Sequence, residues 1–421
     1  MNERYQQFLK TFGPGMLFAS TAIGVSHLIQ STRAGAEFGF LLLGVVCLAN
    51  LFKYPFFEFS SRYSNVTGTS IIDGYLRLGK PVLVLYLIIT LASMFIITAA
   101  VSFVTAGFFE NLFGVSFLGV WSLVILFGVC IAILASGKYR TFDSLIKIIS
   151  AVMVVSTTTA FVIALINGPA ADIEQVKPPE ILTQAGILFL VALMGWMPMP
   201  VDISSWHGLW TLERIKQTNF RPRLKETLLD FNIGYLVTSI LAVFFVFLGA
   251  YIFFGSPEPL PNNNALFADK VVNLYTETIG SWSYLIIASS AFSVMFGTIV
   301  AVFDGYSRSI VRITQLLVTK NENEIVQATK FRKTYLILLL ALAAGSLIVV
   351  IPFGNNLTQL VDFATVVSFL IAPIIAIFNY RLVTGKYLAK GGQPPAWLKG
   401  LGIAGIAFLI GFAVFFIVTR F

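Results

Sequence analysis

The stretch LMGWMPMPVDISSW, from Leu193 to Trp206, decides the fold. It lies in a long apolar segment, yet it contains a glycine, two prolines and an aspartate. Pro198 and Pro200 have no backbone N–H, so a helix running through them leaves backbone carbonyl groups free. Free backbone groups are tolerated at membrane depth only where they are buried in protein or line a cavity. The stretch therefore predicts a broken membrane helix whose break forms a binding site.

The composition is that of a polytopic membrane protein. The chain has 421 residues, of which 57% are hydrophobic and 11% charged, whereas a soluble protein has about 25% charged residues. The first ten residues are polar, and we expect no cleavable signal peptide. Cys47 and Cys130 lie within apolar segments and are predicted to be buried, not in a disulfide or a metal site.

Eleven segments have the roughly 20 apolar residues that a membrane span requires. They are residues 13–38, 40–61, 81–108, 117–136, 143–166, 181–206, 228–254, 279–304, 334–352, 358–380 and 398–419. The connections between them are too short for a soluble domain. We therefore predict one all-α transmembrane domain over residues 1–421.

The distribution of Lys and Arg predicts the orientation. Of the 28 Lys and Arg residues, 22 lie in segments that are cytoplasmic if the N-terminus is cytoplasmic, and only three lie in the outer segments. The remaining three, Arg33, Lys53 and Lys147, lie within spans. This asymmetry follows the positive-inside rule. It also explains the net charge of +8 as topology, not as nucleic-acid binding, and we expect a bacterial inner membrane.

A second span is interrupted in a corresponding place. The first span, residues 13–38, has a glycine, a serine and a histidine at Gly24–His27. The first and sixth spans each begin a block of five, which predicts a transporter with a 5+5 inverted repeat and broken helices 1 and 6. The repeats cover about residues 13–166 and 181–380, and residues 398–419 form an extra helix.

Several motifs resemble those of the Nramp family of divalent-metal transporters, which have the LeuT-type repeat. They are GPG at Gly13–Gly15, AGAEFGF at Ala34–Phe40, LANLFKYPFFEFSSRYSNVTG at Leu48–Gly68, LFG at Leu112–Gly114 and MP at Met199–Pro200. The resemblance covers most of the chain. It implies a secondary transporter that moves a cation by alternating access.

The family's functional motifs are altered. The family's Asp-Pro-Gly-Asn, whose Asp and Asn bind the metal, corresponds here to Gly24, Val25, Ser26 and His27. Its Ala-x-x-Met-Pro-His corresponds to residues 196–201, of which only Met199 and Pro200 match. Its third-span acidic residues correspond to Thr98 and Val101. The resemblance therefore implies an altered metal site and an altered proton path.

The LeuT-type crossing of the half-helices, which the resemblance implies, would bring His27, Met199 and Asp202 together as a different metal site, with Gly24 and Ser26 beside it. Imidazole, thioether and carboxylate ligands suit iron, manganese, zinc or copper to differing degrees. Each residue also has a structural interpretation. In this alternative His27 is hydrogen-bonded across the break, Met199 only packs there, and Asp202 caps the second half-helix.

Trp196 replaces a small residue beside the family's metal. It either fills that space by packing or forms an aromatic wall for an organic solute, for example through cation–π contact with an amine.

Charges within spans need partners, because an isolated one costs about 2.5–3.5 kcal/mol at mid-span. Arg33 and Glu37 are spaced to pair on one helix face, either as a structural pair or as an outer gate. Lys147 either couples transport to protons or extends to the cytoplasmic surface. Lys53 has no local partner. Asp304 and Asp362 are predicted to lie at the interface, near span ends.

No catalytic set or Walker A loop is present in the sequence, so we expect no enzyme activity, no cofactor and no use of ATP. The favoured function is transport of a small cation, a divalent metal that passes through the altered site. Two alternatives remain open. One is transport of a small organic solute, an amine or an amino acid, and the other is a non-transporting sensor.

Overall fold

A computed structural model describes residues 13–136, 139–169, 176–256, 260–318, 332–354 and 356–420, with the backbone alone at 139–147, 149 and 150. All regular secondary structure in these ranges is helical. In the first half of the chain the helices are α1 (Pro14–Ala22), α2 (Thr32–Phe38), α3 (Leu43–Thr67), α4 (Ile71–Leu78), α5 (Lys80–Phe113), α6 (Val120–Ser136) and α7 (Tyr139–Asn167).

The second half continues the all-helical architecture. Its helices are α8 (Gln184–Trp196), α9 (Ser204–Thr218), α10 (Leu224–Phe253), α11 (Asn264–Ile279), α12 (Tyr284–Val318), α13 (Arg332–Val350), α14 (Leu357–Thr384) and α15 (Ala396–Arg420). Each predicted span coincides with one helix, or with two helices for the broken spans one (α1 and α2) and six (α8 and α9). The predicted fold class is confirmed.

Membrane-spanning length is clear for most of these helices. Within the described ranges, seven segments are long and apolar enough to cross a membrane: Lys80–Phe113, Gln184–Thr218, Leu224–Phe253, Ser281–Val318, Arg332–Phe353, Leu357–Thr384 and Ala396–Arg420. Val120–Ser136 and Ala151–Asn167 are shorter apolar helices. The chain is therefore an integral membrane protein, in which the broken span one and the charge-bearing α3 complete the predicted set.

The packing of the helices is reciprocal between the two halves. Span one packs through α2 on α10, the seventh span, and span six packs through α9 on α3, the second span. In the same way α1 contacts α7, the fifth span, whereas α8 packs on α14, the tenth. If each of spans 1–5 is replaced by its counterpart in spans 6–10, the contact pairs of the first half become those of the second. This correspondence supports the predicted repeat.

Glycines allow span one to approach the seventh span closely. A Cβ atom on Gly35 would lie 2.0 Å from the carbonyl oxygen of Val246, and one on Gly249 would lie 2.2 Å from that of Thr32. Small residues at such crossings let backbones pack directly, which is a common basis of helix association in membranes. The outer half of span one is thereby fixed to the scaffold.

Three local findings concern a charge pair, the cysteines and one additional helix. Glu58 and Arg62 form an i,i+4 ion pair on α3, with Arg62 Nε donating to both carboxylate oxygens at 3.0 and 3.1 Å. Cys130 is buried as predicted, but Cys47 is exposed on its helix because it lies on the face that would meet lipid. Helix α11 was not predicted, because it is an amphipathic helix in the connection 255–278 and not a continuous apolar segment.

Candidate functional site

The break in span one lies where it was predicted. Helix α1 ends at Ala22, and a π-helical turn, Ser26–Ser31, follows before α2. Between them Gly24 approaches the eighth span, because a Cβ atom there would lie 3.1 Å from Thr298 Oγ1. At the interruption the Gly24 N–H donates to the carbonyl oxygen of Ala22 at 2.8 Å, instead of to a carbonyl group four residues back.

The break in span six is longer than that in span one and lies at the two prolines, as predicted. Helix α8 ends at Trp196, the Met197–Pro198 peptide is cis, and a short 3₁₀ turn, Val201–Ile203, precedes α9. The two breaks meet through Ser26, whose Oγ lies 3.1 Å from the carbonyl oxygen of Pro198 and 2.8 Å from that of Ala22. The chain therefore brings both interruptions to one place.

A small buried cavity of about 30 Å³ lies between the two breaks. A volume of this size holds one or two water molecules or a bare ion. Its lining residues are mostly apolar: Thr21, Ala22, Val25, Ser26, Ile97, Val101, Trp196, Pro198, Met199, Pro200, Ile203, Thr298 and Val302. Of the predicted site residues, Ser26, Trp196 and Met199 share this cavity.

Trp196 forms one wall of the cavity and is held from behind. Its Nε1–H donates a hydrogen bond of 2.8 Å to Ser368 Oγ on α14. Only 3% of the residue is exposed. The indole thus fills space beside the break in a fixed orientation.

His27 does not line the cavity. Its Nε2 donates to the carbonyl oxygen of Thr238 on α10 at 2.8 Å, and its Nδ1 lies 2.8 Å from Ser26 Oγ. Both ring nitrogens are thus engaged, as in the structural interpretation of a histidine hydrogen-bonded at the break. His27 would have to leave Ser26 or Thr238 to bind a metal.

Asp202 lies in the 3₁₀ turn before α9, at the predicted end of the half-helix, but it does not cap it. The cap position of α9 is Ile203, without a side-chain hydrogen bond. Asp202 Oδ2 instead accepts a hydrogen bond from Ser93 Oγ on α5 at 3.1 Å. Its Oδ1 is buried and has no hydrogen-bond partner in the part of the chain that the structure describes. The capping prediction was wrong because the third span supplies a hydroxyl to the carboxylate.

The three predicted metal ligands therefore do not converge in this conformation. Met199 lines the cavity, whereas His27 faces α10 and Asp202 faces α5. Across the described ranges there is no group of three or more His, Cys, Asp and Glu side chains able to hold a metal ion. Any metal in the cavity would depend on Met199, Ser26 and backbone carbonyl groups.

Arg33 and Glu37 form the predicted pair, and two further residues join it. Arg33 Nε donates to Glu37 Oε1 at 3.1 Å, while Nη1 donates to Asp362 Oδ1 on α14 at 2.7 Å. Gln30 donates to the same Asp362 oxygen at 3.0 Å, and the Arg33 guanidinium lies 4.7 Å from the Phe189 ring centroid. Asp362 is thus an ion-pair partner of span one, a contact that the sequence did not predict.

Asp304, at the end of span eight, is a buried carboxylate with two partners. It is 1% exposed and accepts hydrogen bonds from Arg308 Nε at 2.7 and 2.8 Å and from Tyr335 at 2.7 Å. Lys147 belongs to α7, but its side chain lies outside the described part of the structure, so its predicted role in coupling stays a prediction.

Lys53 is the residue of the site that sequence reasoning missed. It is fully buried in α3, and its Nζ donates to the carbonyl oxygens of Met194, Gly195 and Met199 at 2.5, 2.8 and 3.3 Å. Two signals in the sequence pointed here: a mid-span lysine without a local partner, and the carbonyl groups that Pro198 and Pro200 leave free.

Comparison with known proteins agrees with this architecture. The family profile described as "Natural resistance-associated macrophage protein-like", or Nramp, matches residues 15–419. An uncharacterized protein of Pasteurella multocida is 36% identical over 97% of this chain and 92% of its own length. The divalent metal cation transporter MntH of Staphylococcus saprophyticus is 25% identical over 59% of this chain and 57% of its own length.

A solved structure shows the same fold. The crystal structure of the Eremococcus coleocola manganese transporter superposes with a TM-score of 0.68 over 99% of this chain and 87% of that one, at 14% identity. The helix breaks, the reciprocal packing and the family match over nearly the whole chain all indicate the same fold. The chain belongs to the Nramp family of membrane transporters.

Proposed function

We propose that this protein transports a divalent transition-metal cation through the cavity between the breaks of spans one and six. The observation that carries the proposal is the convergence of the two breaks on Met199 and Ser26 in a buried cavity of about 30 Å³. The match to the Nramp family and the similarity to metal cation transporters named MntH support it.

The available ligands favour soft or borderline ions. Met199 offers a thioether, Ser26 a hydroxyl, and the two breaks offer carbonyl oxygens. Hard ions such as Mg²⁺ and Ca²⁺ prefer carboxylates and other oxygen ligands, and no carboxylate lines this cavity. Thioether and imidazole ligands suit iron, copper and zinc better. His27 and Asp202 remain candidate ligands for a conformation in which their present hydrogen bonds have opened.

The Arg33 network is the proposed outer gate. With a cytoplasmic N-terminus, as the positive-inside pattern predicts, Arg33, Glu37 and Asp362 lie on the outer side of the cavity. Arg33 connects span one to span ten, so outward opening requires its bonds to Asp362 to break. We expect transport to be uncoupled from protons, or coupled through Lys147 or His27, because Thr98 and Val101 stand where the family has acidic residues.

One observation favours a second candidate function. Ten of the thirteen lining residues are apolar and Trp196 is one of them, which suits a small organic solute such as an amine. Such a solute needs a larger space than the cavity offers in this conformation. It would therefore bind only after the two breaks had separated.

A thermal-shift screen in detergent distinguishes these functions. Ligands that bind only the folded state raise the apparent melting temperature. We expect Fe²⁺ or Zn²⁺ to raise it, Mg²⁺ to have no effect, and the metal shift to disappear in Met199→Ala. A shift with amines or amino acids and none with any metal would show that the substrate is an organic solute and not a metal. No shift with either class would favour a non-transporting sensor.

A further inference from the structure

Lys53 is a buried charge that the proposed transport cycle does not use. It lies near the middle of α3 and is 0% exposed. A lysine at this depth is costly unless its ammonium group is fully satisfied by the protein. Its partners therefore indicate what the protein gains from it.

The partners of Lys53 lie in the last turn of α8 and in the break that follows it. An ammonium group has three N–H donors, and Nζ lies 2.5, 2.8 and 3.3 Å from the carbonyl oxygens of Met194, Gly195 and Met199. In a continuous helix the Met194 carbonyl would accept from the backbone N–H of residue 198. Residue 198 is a proline, so this carbonyl has no helical donor and the ammonium takes its place.

The electrostatic environment is that of a cation site. The carbonyl end of α8 carries partial negative charge, which favours a cation there. Lys53 makes no ion pair within the described residues, and neutral carbonyl oxygens hold its ammonium group. In transporters with broken helices, unwound carbonyl groups and half-helix ends of this kind coordinate Na⁺.

We propose that the carbonyl oxygens of Met194, Gly195 and Met199 form a monovalent-cation site that the Lys53 ammonium occupies permanently. The second span thus supplies the ammonium group in place of a cation that the three carbonyl oxygens could otherwise bind from solution. The ammonium also fixes the backbone of Met199, whose side chain lines the central cavity. Lys53 is a positioning residue for the break and keeps these three carbonyl oxygens from binding a transported ion.

Chemical rescue tests this proposal without knowledge of the transported substrate. Lys53→Ala removes the atoms from Cγ to Nζ, which n-propylammonium replaces in number and charge. Lys53→Met removes the charge but fills most of the space. The melting temperature of each variant is measured in detergent and choline buffer, with and without n-propylammonium. Tetramethylammonium is the matched cation without N–H donors.

We expect both variants to melt about 5 °C or more below the wild type, because a buried network has lost its cation. n-Propylammonium should return at least half of the loss in Lys53→Ala and none in Lys53→Met or the wild type, and tetramethylammonium should return none. Lys399→Ala is the control, since Lys399 bonds only to Gln393 away from the break among the described residues.

Two results would overturn the proposal. One is a Lys53→Met variant with the same melting temperature as the wild type, which would show that the charge is dispensable. This result would overturn the proposal even if Lys53→Ala yields no folded protein. The other is a folded Lys53→Ala variant that gains no more from n-propylammonium than from tetramethylammonium. That result would reduce Lys53 to a packing residue.

Discussion

Trp196 is the largest residue that lines the central cavity, and the position is informative because the family has a small residue there. Its ring is fixed by the hydrogen bond to Ser368 and is buried against the break. A side chain held in this way limits the size of any substrate in the present conformation. It also makes the indole the best residue at which to separate packing from substrate contact.

Trp196→Ala should destabilise the protein by about 3–5 kcal/mol, because deletion of a buried aromatic side chain leaves a cavity. Trp196→Phe should cost less, since the aromatic wall is retained and only the hydrogen bond to Ser368 is lost. Thermal unfolding in lipid nanodiscs measures both changes. Equal losses in the two variants would show that the hydrogen bond, and not the volume, is what matters.

At this scale the sequence predicts residue types better than partners. Glu37 was assigned to Arg33 correctly because the two lie one turn apart on one helix. Asp362 was missed because it is 329 residues from Arg33 in the chain and meets it only through the packing of span ten. Lys53 and Asp202 repeat this pattern, since their partners come from spans six and three.

At the scale of elements, the crossing of α2 and α10 depends on the absence of side chains. Gly35→Ala should destabilise the protein by about 1–3 kcal/mol, because its Cβ would lie 2.0 Å from a backbone oxygen and the helices must separate. Gly44→Ala is the matched control on α3, where a Cβ meets nothing within 4 Å and alanine is the better helix former. Comparable melting temperatures for the two variants would contradict the close-packed crossing.

The proposed outer gate also depends on a contact between two elements, spans one and ten. Arg33→Gln should weaken the contact between spans one and ten and favour outward opening, because the bonds to Asp362 and Glu37 lose their cation. The readout is the labelling rate of Val25→Cys, a cavity residue, by a membrane-impermeant maleimide in a variant without Cys47 and Cys130. We expect labelling several-fold faster than in the parent, as for a population shift between two states.

Arg223→Gln provides the control for this gate, because Arg223 pairs with Glu226 on an exposed helix start. It should leave the labelling rate unchanged. If Arg33→Gln behaved like Arg223→Gln, the Arg33 network would be a structural pair and not a gate.

The broken elements themselves were predictable, and their ends were not. Pro198 and Pro200 locate the break of span six because they remove donors whatever the surroundings are. Helix α9 nevertheless extends to Thr218, well beyond the predicted end at residue 206, because polar residues continue the helix outside the apolar segment. Hydropathy marks membrane depth and not the length of a helix.

At the scale of the whole molecule, the charge distribution predicts an orientation. Eleven spans with a cytoplasmic N-terminus place the end of α15 outside the cytoplasm. Alkaline phosphatase fused after Arg420 should therefore be active in a bacterial host, and green fluorescent protein fused at the same place should be dark. The reverse pair of results would require an even number of spans or an inverted protein.

The fold as a whole could be predicted from apolar length, two breaks and family motifs, because these depend on local sequence. The central site could be predicted only in part. Ser26, Met199 and Trp196 do meet at the cavity, since the two breaks face each other. His27 turns away to the carbonyl oxygen of Thr238, which no local pattern reveals.

The most direct test of metal transport through the two breaks is Zn²⁺ uptake by proteoliposomes, measured with an internal fluorescent chelator. We predict saturable uptake by the wild type. Loss of an outer-shell partner of a metal already costs about ten-fold or more, so Met199→Ala, which removes a direct contact, should lower uptake by at least as much. Met153→Ala, which removes a buried methionine of α7 outside the cavity, should transport like the wild type. Equal uptake by Met199→Ala and the wild type, or no Zn²⁺ uptake above empty liposomes, would contradict the account.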